Sequence, residues 1–420
     1  MLSALSNSLK VKELRQKIFF ILAMIAVYRI GAHIPVPGVD PAKLRELFSQ
    51  GQGLLGFLDM FSGGALSRFS IFAMSINPYI TSSIIMQLLT VVVPKLEELS
   101  KQGQEGQKVI SQYTRYGTVI LGLIQGFGIT LWIKNYGAIV NPNFFNIATI
   151  VITLTAGTAF LMWLGEQITD KGIGNGISII IFSSIISRFP SAVSQVVASL
   201  RAGTIGIFNL IIFLILAVVI VAAVIYIQQG ERKISVQYSK RVVGRKVYGG
   251  QSTHIPMKVN QAGVIPVIFA SSVLLFPATI ARILPYDWAQ TLSNALSPGS
   301  LLYMIIFALF IVFFTYFYTA ITFNPREVAE NIQKNGGFIP GRRPGRSTAE
   351  YLDKVLTRVT LAGALFLAAI AVLPNILMNL TGLQFRFGGT ALLIVIGVAL
   401  ETMKQIETHL LERHYQGFME

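Results

Sequence analysis

Long apolar runs separated by short polar or basic stretches dominate this chain. They fall at 18–34, 69–93, 116–133, 147–165, 173–189, 205–227, 262–284, 301–323, 355–378 and 388–403. Most have the length a helix needs to cross a hydrocarbon core of about 30 Å. The pattern predicts ten membrane-spanning helices. One stretch interrupts it. Met60–Phe72, "MFSGGALSRFSIF", is apolar yet carries Gly63, Gly64, three serines and Arg68. Here the pattern predicts a broken, half-apolar helix lodged between two spans.

Ten spans divide into five and five, and an odd number per half gives the halves opposite topology, as in inverted repeats. The boundary falls between 1–204 and 205–420. The second span reads "INPYITSSII" and the seventh "VIPVIFASSVL". Each has a proline, an isoleucine two residues later (Ile80, Ile268) and then a serine pair. Proline and serine are also ordinary in membrane helices, where neighbours satisfy the freed backbone groups.

Composition agrees with the pattern. Of 420 residues, 53% are hydrophobic and 13% charged, against roughly 25% charged in soluble proteins. The N-terminal "MLSALSNSLKVKELRQK" is basic and amphipathic, and the first apolar run is long enough to be a span rather than a cleavable signal. The formal charge of +15 is unevenly spread. Of 34 Lys and Arg, 25 lie in 1–17, 94–115, 166–172, 228–261, 324–358 and 404–420. The excess of positive charge in cytoplasmic loops therefore places both termini in the cytoplasm.

Catalytic chemistry finds little support. There are no cysteines, which excludes thiolate metal sites and Cys nucleophiles. His33, His254, His409 and His414 lie at a span end, in a loop or in the tail. None stands mid-span beside a serine or carboxylate, so a Ser–His dyad is disfavoured. Asp40, Asp59 and Asp287 lie outside the basic segments, and none is in a span core. "GIGNGIS" spaces its glycines as GxGxG, not GxGxxG, and follows no strand. The span cores are nearly free of charge, which weakens an ion-coupled carrier; Arg29, Glu166 and Glu401 stand near span ends, where snorkelling accounts for them. No cofactor or metal is implied.

The positive signal is in two loops. Loop 228–261 contains "ERKISVQYSKRVVGRKVYGG", with Lys233, Arg241, Arg245 and Lys246 among alternating apolar residues that predict a hairpin. Loop 324–358 contains a short helix over Pro325–Lys334, then "NGG" and "PGRRPGR", a tight turn exhibiting Arg342 and Arg343. Topology alone, anionic lipid and a polyanionic partner such as RNA all fit these charges. Their place at the tips of long loops favours a cytosolic docking partner.

The blocks "MFSGGALSR", "NPYITSSIIMQLL", "MWLGEQITDKGIGNGISIIIF", "YSKRVVGRKVYGGQSTHIPMKVNQAGVIPVIFASS", "FNPREVAENIQKNGGFIPGRRPG" and "FGGTALLIV" resemble, in order and over essentially the whole chain, the SecY/Sec61-alpha family, whose bacterial members are channel subunits of the Sec protein translocon. The resemblance implies an all-α polytopic membrane protein: ten transmembrane helices in two inverted five-helix halves around an hourglass pore, with a re-entrant plug helix at about 54–68. It implies a pore ring of Ile76, Ile80, Ile177, Ile181, Ile268 and Ile394. The plug would use Phe57, Leu58, Met60, Phe61, Gly63, Gly64, Leu66 and Arg68, with the glycines as a flexible joint and Arg68 marking the boundary with the second span. The lateral gate, between spans two and three on one side and seven and eight on the other, would use Thr81, Gln87, Ser271, Ser272 and Phe276, a seam held by modest polar contacts.

The resemblance also implies partners. Lys233, Arg241, Arg245, Lys246, Arg342 and Arg343 would dock the SecA motor ATPase and the ribosome, through its RNA and protein. SecE and SecG would be companion subunits. Signal peptides and unfolded preproteins would pass through or into the bilayer of a bacterial plasma (inner) membrane. The chain itself would be a passive channel, not an enzyme.

Overall fold

The computed structural model describes residues 11–50, 54–203, 206–238, 241–243, 246–248, 252–283, 286–297, 300–381 and 389–416. The N-terminal part runs α1 (Lys12–Gly31), α2 (Pro41–Gln50), α3 (Leu54–Phe61), α4 (Asn77–Val92), α5 (Pro94–Lys101), α6 (Gln104–Asn135), α7 (Phe144–Lys171), α8 (Gly176–Ser187) and α9 (Phe189–Arg201). Then come α10 (Ile207–Gln229), strands β1 (Glu231–Tyr238), β2 (Arg241–Val243), β3 (Lys246–Tyr248) and β4 (Ser252–Lys258), and α11 (Ile265–Ile283). The chain closes with α12 (Asp287–Ala295), α13 (Leu301–Thr322), α14 (Pro325–Lys334), β5 (Gly337–Phe338), α15 (Arg346–Thr381) and α16 (Gly389–Gln416).

Among the described residues, six helical stretches are long and apolar enough to cross a membrane, or seven if the bent pair α4–α5 counts as one. The pair bends by 99°, and the sequence explains why. Pro94 opens α5, and Val93 before it is extended at φ −98°, ψ 112°, because the proline ring disfavours a helical predecessor. Other helix starts carry side-chain caps: the Asn175 carboxamide accepts from the Ile177 and Ser178 amides, Ser300 from Tyr303, and Asn324 from Arg326. Such caps satisfy amides that have no partner within the helix.

The second span departs from its expected form. A helix was expected from residue 69, but α4 begins at Asn77, with Pro78 in its first turn. Residues 62–76 form consecutive turns. Gly63 and Gly64 have φ of +62° and +89°, and Phe69 and Ser75 reach +45° and +54°. A run of left-handed residues cannot propagate a right-handed helix. This stretch pairs with the chain after α1: Pro35 bridges Ser70, the Val36 amide donates to Phe69 O at 2.9 Å, and the Ile71 amide to Ile34 O at 3.0 Å.

Small residues let the elements approach closely, as is common in membrane bundles. A Cβ on Gly157 would stand 1.9 Å from Ile71 O, and one on Gly117 would stand 2.4 Å from Ser82 Oγ. The 62–76 stretch thus lies directly on α7.

The two basic loops fold as one unit. β1 pairs antiparallel with β4 over Glu231–Gln237 and with β5 at Gln237 and Tyr238, in the order β4-β1-β5. Beneath the sheet, Ile234, Val236 and Met257 pack with Ala329 and Ile332 of α14 and with Leu352 and Leu356 of α15. Alternation along β1 turns Ile234 and Val236 inward and Lys233 and Ser235 outward.

The close approach at Gly157 is testable. Gly157→Ala forces overpacking that costs about 1–3 kcal/mol, so the melting temperature of the purified protein falls. Gly56→Ala, where nothing lies within 4 Å of the added Cβ, leaves it unchanged. Equal melting of the two variants would show that α7 and residue 71 do not touch.

Candidate functional site

Asn175 starts α8, and the helix then presents Ile177, Ile181, Ser184 and, at its C-cap, Arg188 at i, i+4, i+7 and i+11, on one face. The apolar end of this face enters the largest cluster of buried side chains. Ile76 is 1% exposed, Ile80 5%, Ile181 2%, Ile268 5% and Ile394 0%, and Ile177 packs against them partly buried. The structure therefore brings together in one cluster six isoleucines from four separate stretches of chain. Met60, Phe61 and Ala65 belong to the same cluster, and Leu58 packs at its edge. Leu66 joins a neighbouring cluster with Phe69, Trp132 and Leu154.

The polar end of the α8 face meets the turn at 59–68. Asp59, only 6% exposed, pairs through Oδ2 with the Arg188 guanidinium, and its Oδ1 accepts the Ser67 amide at 2.7 Å. The Arg29 guanidinium donates to Gly63 O at 3.3 Å and Ser187 Oγ at 2.9 Å. The buried Tyr28 hydroxyl donates to Ser62 O at 3.1 Å and lies 2.6 Å from Ser184 Oγ. A Cβ on Gly63 would meet Arg29 Nη1 at 2.9 Å, and one on Gly64 would meet Arg188 Cζ at 3.2 Å. The two glycines, expected as a flexible joint, occupy left-handed turn positions where two arginines press on the backbone. Arg68 does not mark a span boundary, because α4 starts nine residues later. It is exposed, with Nη1 2.5 Å from His33 Nε2.

Three of the expected gate residues, Thr81, Ser272 and Phe276, line a seam. α11 packs against α4 and α6. A cavity of about 60 Å³ sits there, lined by Thr81, Ser272, Phe276, Leu58, Leu66 and Gln125, among others. Seam-crossing hydrogen bonds were expected, but the bonds found for these residues stay within their own helices. Thr81 Oγ1 donates to Asn77 O, Gln87 Nε2 to Ser83 Oγ and Ser271 Oγ to Ile268 O. A hydroxyl in an apolar bundle finds a carbonyl of its own preceding turn at less entropic cost than one across a seam. Ser82 does bond between helices, at 2.8 Å, but to Thr114 O of α6.

At the sheet end, a cavity of about 550 Å³ lies between the end of α10, residues 258–265, α13 and α16. Asn260, Gln261, Glu401 and Gln405 line it. Glu401 follows Ile394 by seven residues in α16, so the helix face carrying Ile394 continues to this cavity. Burial first, and the neighbouring Lys404 second, hold Lys258 at its edge below the usual lysine range.

Of the basic loop residues, Lys233, Arg342 and Arg343 are exposed. Lys233 pairs with Glu231 at 3.4 Å. The Arg342 guanidinium stands 4.9 Å over the Tyr351 ring, and Arg343 O accepts the Thr348 hydroxyl at 2.9 Å. Gly341 and Gly345, at φ +78° and +94°, shape the turn. Arg245 lies outside the described residues, as do the side chains of Phe57, Arg241 and Lys246.

Asp59, Arg188, Tyr28 and Arg29 were not anticipated as site residues. The available signal was helical phase: Arg188 shares a face with Ile177 and Ile181.

The SecY family model matches residues 70–403. A protein translocase subunit SecY of Pseudomonas aeruginosa is 49% identical over 423 residues, covering 100% of this chain and 96% of that protein. The subunit of the same name from Escherichia coli strain K12 is 48% identical, covering 96% and 94%. Among solved structures, a SecY translocation channel, described as having a plug domain that stabilises its closed state and maintains a membrane seal, superposes with TM-score 0.66 at 18% identity, covering 93% of this chain and 91% of that one. Sec61 in the canine ribosome-channel complex superposes with TM-score 0.62 at 15% identity, covering 93% and 91%. At these identities the superpositions establish a shared fold.

The chain has no native cysteine, so single thiols report burial cleanly. Ile80→Cys, Ile181→Cys, Ile268→Cys and Ile394→Cys should react with a membrane-impermeant maleimide at least about tenfold more slowly than Arg343→Cys, because thiol reactivity follows access to water. Comparable rates would mean that the isoleucine cluster is open to solvent.

Proposed function

This chain belongs to the SecY family, and we infer that it is the protein-conducting channel subunit of a protein translocase. It is a multi-pass membrane protein that passes unfolded polypeptides. The observation that carries this reading is the near-full-length identity to translocase subunits, together with a closed aliphatic cluster where such a channel needs its seal.

The finer reading has ten spans in inverted halves, 1–204 and 205–420. Ile76, Ile80, Ile177, Ile181, Ile268 and Ile394 form the pore ring, and residues 54–68 are the plug. Aliphatic side chains suit the ring, because they fit around any passing sequence without demanding a particular hydrogen-bond partner. The seam around Thr81, Ser272 and Phe276, with Gln87 and Ser271 nearby, is the lateral gate, through which apolar helices leave sideways into lipid. Its small cavity and its helix-internal hydrogen bonds support a seam that parts without breaking strong contacts. A signal-peptide helix that binds the parted state better than the closed one shifts the balance toward it.

The membrane is the bacterial plasma membrane, with both termini cytoplasmic, and the sheet end of the bundle faces the cytoplasm. There the joined loops offer Lys233, Arg241, Arg245, Lys246, Arg342 and Arg343 to the SecA motor or to the ribosome. SecE and SecG complete the complex. The partner supplies the energy, and the channel itself performs no chemistry. A docking platform gains from being one packed sheet unit, since a rigid surface loses less conformational freedom on binding.

Reconstitution with SecE and SecA, ATP and a preprotein tests the function. Preprotein should become protease-protected inside the vesicles. No protection, with an established channel working in parallel, would overturn the assignment. Arg343→Glu reverses an exposed charge on the platform. It should lower the rate of protection by about tenfold or more through lost charge complementarity, with expression and melting temperature unchanged. Normal rates from that variant would remove Arg343 from the docking site.

A further inference from the structure

Asp59 is a carboxylate that water scarcely reaches. Its side chain is 8% exposed, and that of Arg188 is 27% exposed. A buried carboxylate persists as an ion only when paired and hydrogen-bonded, and Asp59 has both kinds of partner, the Arg188 guanidinium and the Ser67 amide. Arg188 also donates to Ser67 Oγ at 3.4 Å. Beside this pair, Tyr28 and Arg29 of α1 hold the carbonyls of Ser62 and Gly63, and the same two side chains reach Ser184 and Ser187 of α8. One short segment is thus fastened to two helices by an ion pair and two carbonyl-directed donors. Its apolar side chains face the isoleucine cluster.

We propose that the Asp59–Arg188 ion pair, supported by Tyr28 and Arg29, is an electrostatic latch that sets how readily the channel opens. The proposal rests on reading residues 54–68 as the plug. Arg188 stands on the α8 face that carries Ile177 and Ile181, so the residue that fastens the plug is rigidly coupled to the ring it seals. Widening of the ring by movement of α8 pulls on the pair. Once the plug leaves, Asp59 and Arg188 enter the aqueous funnel and regain hydration, so each change of state exchanges one satisfied arrangement for another.

The latch has a signature that simple packing lacks. Arg188→Gln strands a nearly buried carboxylate. Asp59→Asn removes that charge, retains an oxygen for the Ser67 amide and leaves Arg188 within reach of water. Removing one partner of a buried pair is far more damaging than removing both. The test measures the resting ion flux of vesicles reconstituted with the complete channel complex. Arg188→Gln should raise the flux by about tenfold or more, and Asp59→Asn by less; the double variant should fall back toward the parent, leaking less than Arg188→Gln alone. Arg188→Lys, which keeps the charge, should stay tight and guards against a general folding defect. Deletion of 57–67 is measured alongside. If the deletion leaks while Arg188→Gln is as tight as the parent, or if the two single effects simply add, the latch is overturned and the plug reading stands. If the deletion stays tight, the plug reading falls and the latch falls with it.

Discussion

The structure depends on keeping residues 62–76 satisfied while they lie, without helix, inside an apolar helix bundle. Unpaired backbone groups in such surroundings cost several kcal/mol each, so irregular backbone at this depth persists only where protein groups replace water. Ser62 illustrates the solution. Its hydroxyl donates to Asp59 O and accepts the Leu66 amide, and its carbonyl accepts from Tyr28. Ser67 does the same on the other side of the turn, its amide donating to the Asp59 carboxylate and its hydroxyl to Gly64 O. The serines and glycines that make this stretch too polar for a span are the groups that let it fold in place.

From that constraint follows a division of labour between apolar and ionic contacts. A pore ring, as proposed for the isoleucine cluster, would close around nothing when idle and around any sequence when working, a task suited to side chains whose attraction is non-directional. The fastening of 59–68 must instead be specific, and there the chain uses an ion pair, a second arginine and a tyrosine. α8 carries both functions on one face, with Ile177 and Ile181 followed by Ser184 and Arg188.

Much of this was legible in the sequence. Of the ten spans read from the apolar runs, six helices, or seven with the bent pair, are long and apolar enough to cross a membrane among the described residues. The Pro325–Lys334 helix came out at its expected limits, and strand alternation marked β1 and the β2–β3 pair. The blocks running from "MFSGGALSR" to "FGGTALLIV" carried the family. Three things were not legible. The start of α4 was obscured because "RFSIFAMSI" is as apolar as a helix, while the left-handed turns at Phe69 and Ser75 are imposed by pairing with residues 34–36, a tertiary effect that no local propensity reports. The pairing of β5 with β1 joins residues about a hundred positions apart through two residues of strand. Asp59 and Arg188 each read alone as loop charges near span ends, and only the folding back of 54–68 onto α8 makes them partners.

With residues 54–68 read as the plug, the choice of an ion pair there also answers to the cost of opening. Burying a large aliphatic side chain contributes about 1.5–3 kcal/mol, and all of that is lost when the side chain is returned to water. A plug held by apolar contacts alone would therefore open at a cost that grows with every residue it buries. On that reading Asp59 and Arg188 would behave differently, because the water that received them on opening would restore much of the hydration they gave up on closing. Adding an ion pair raises the specificity of the closed arrangement more than it raises the work of leaving it. A seal that must be both tight and frequently broken is better fastened by charge at its edge than by more grease at its centre.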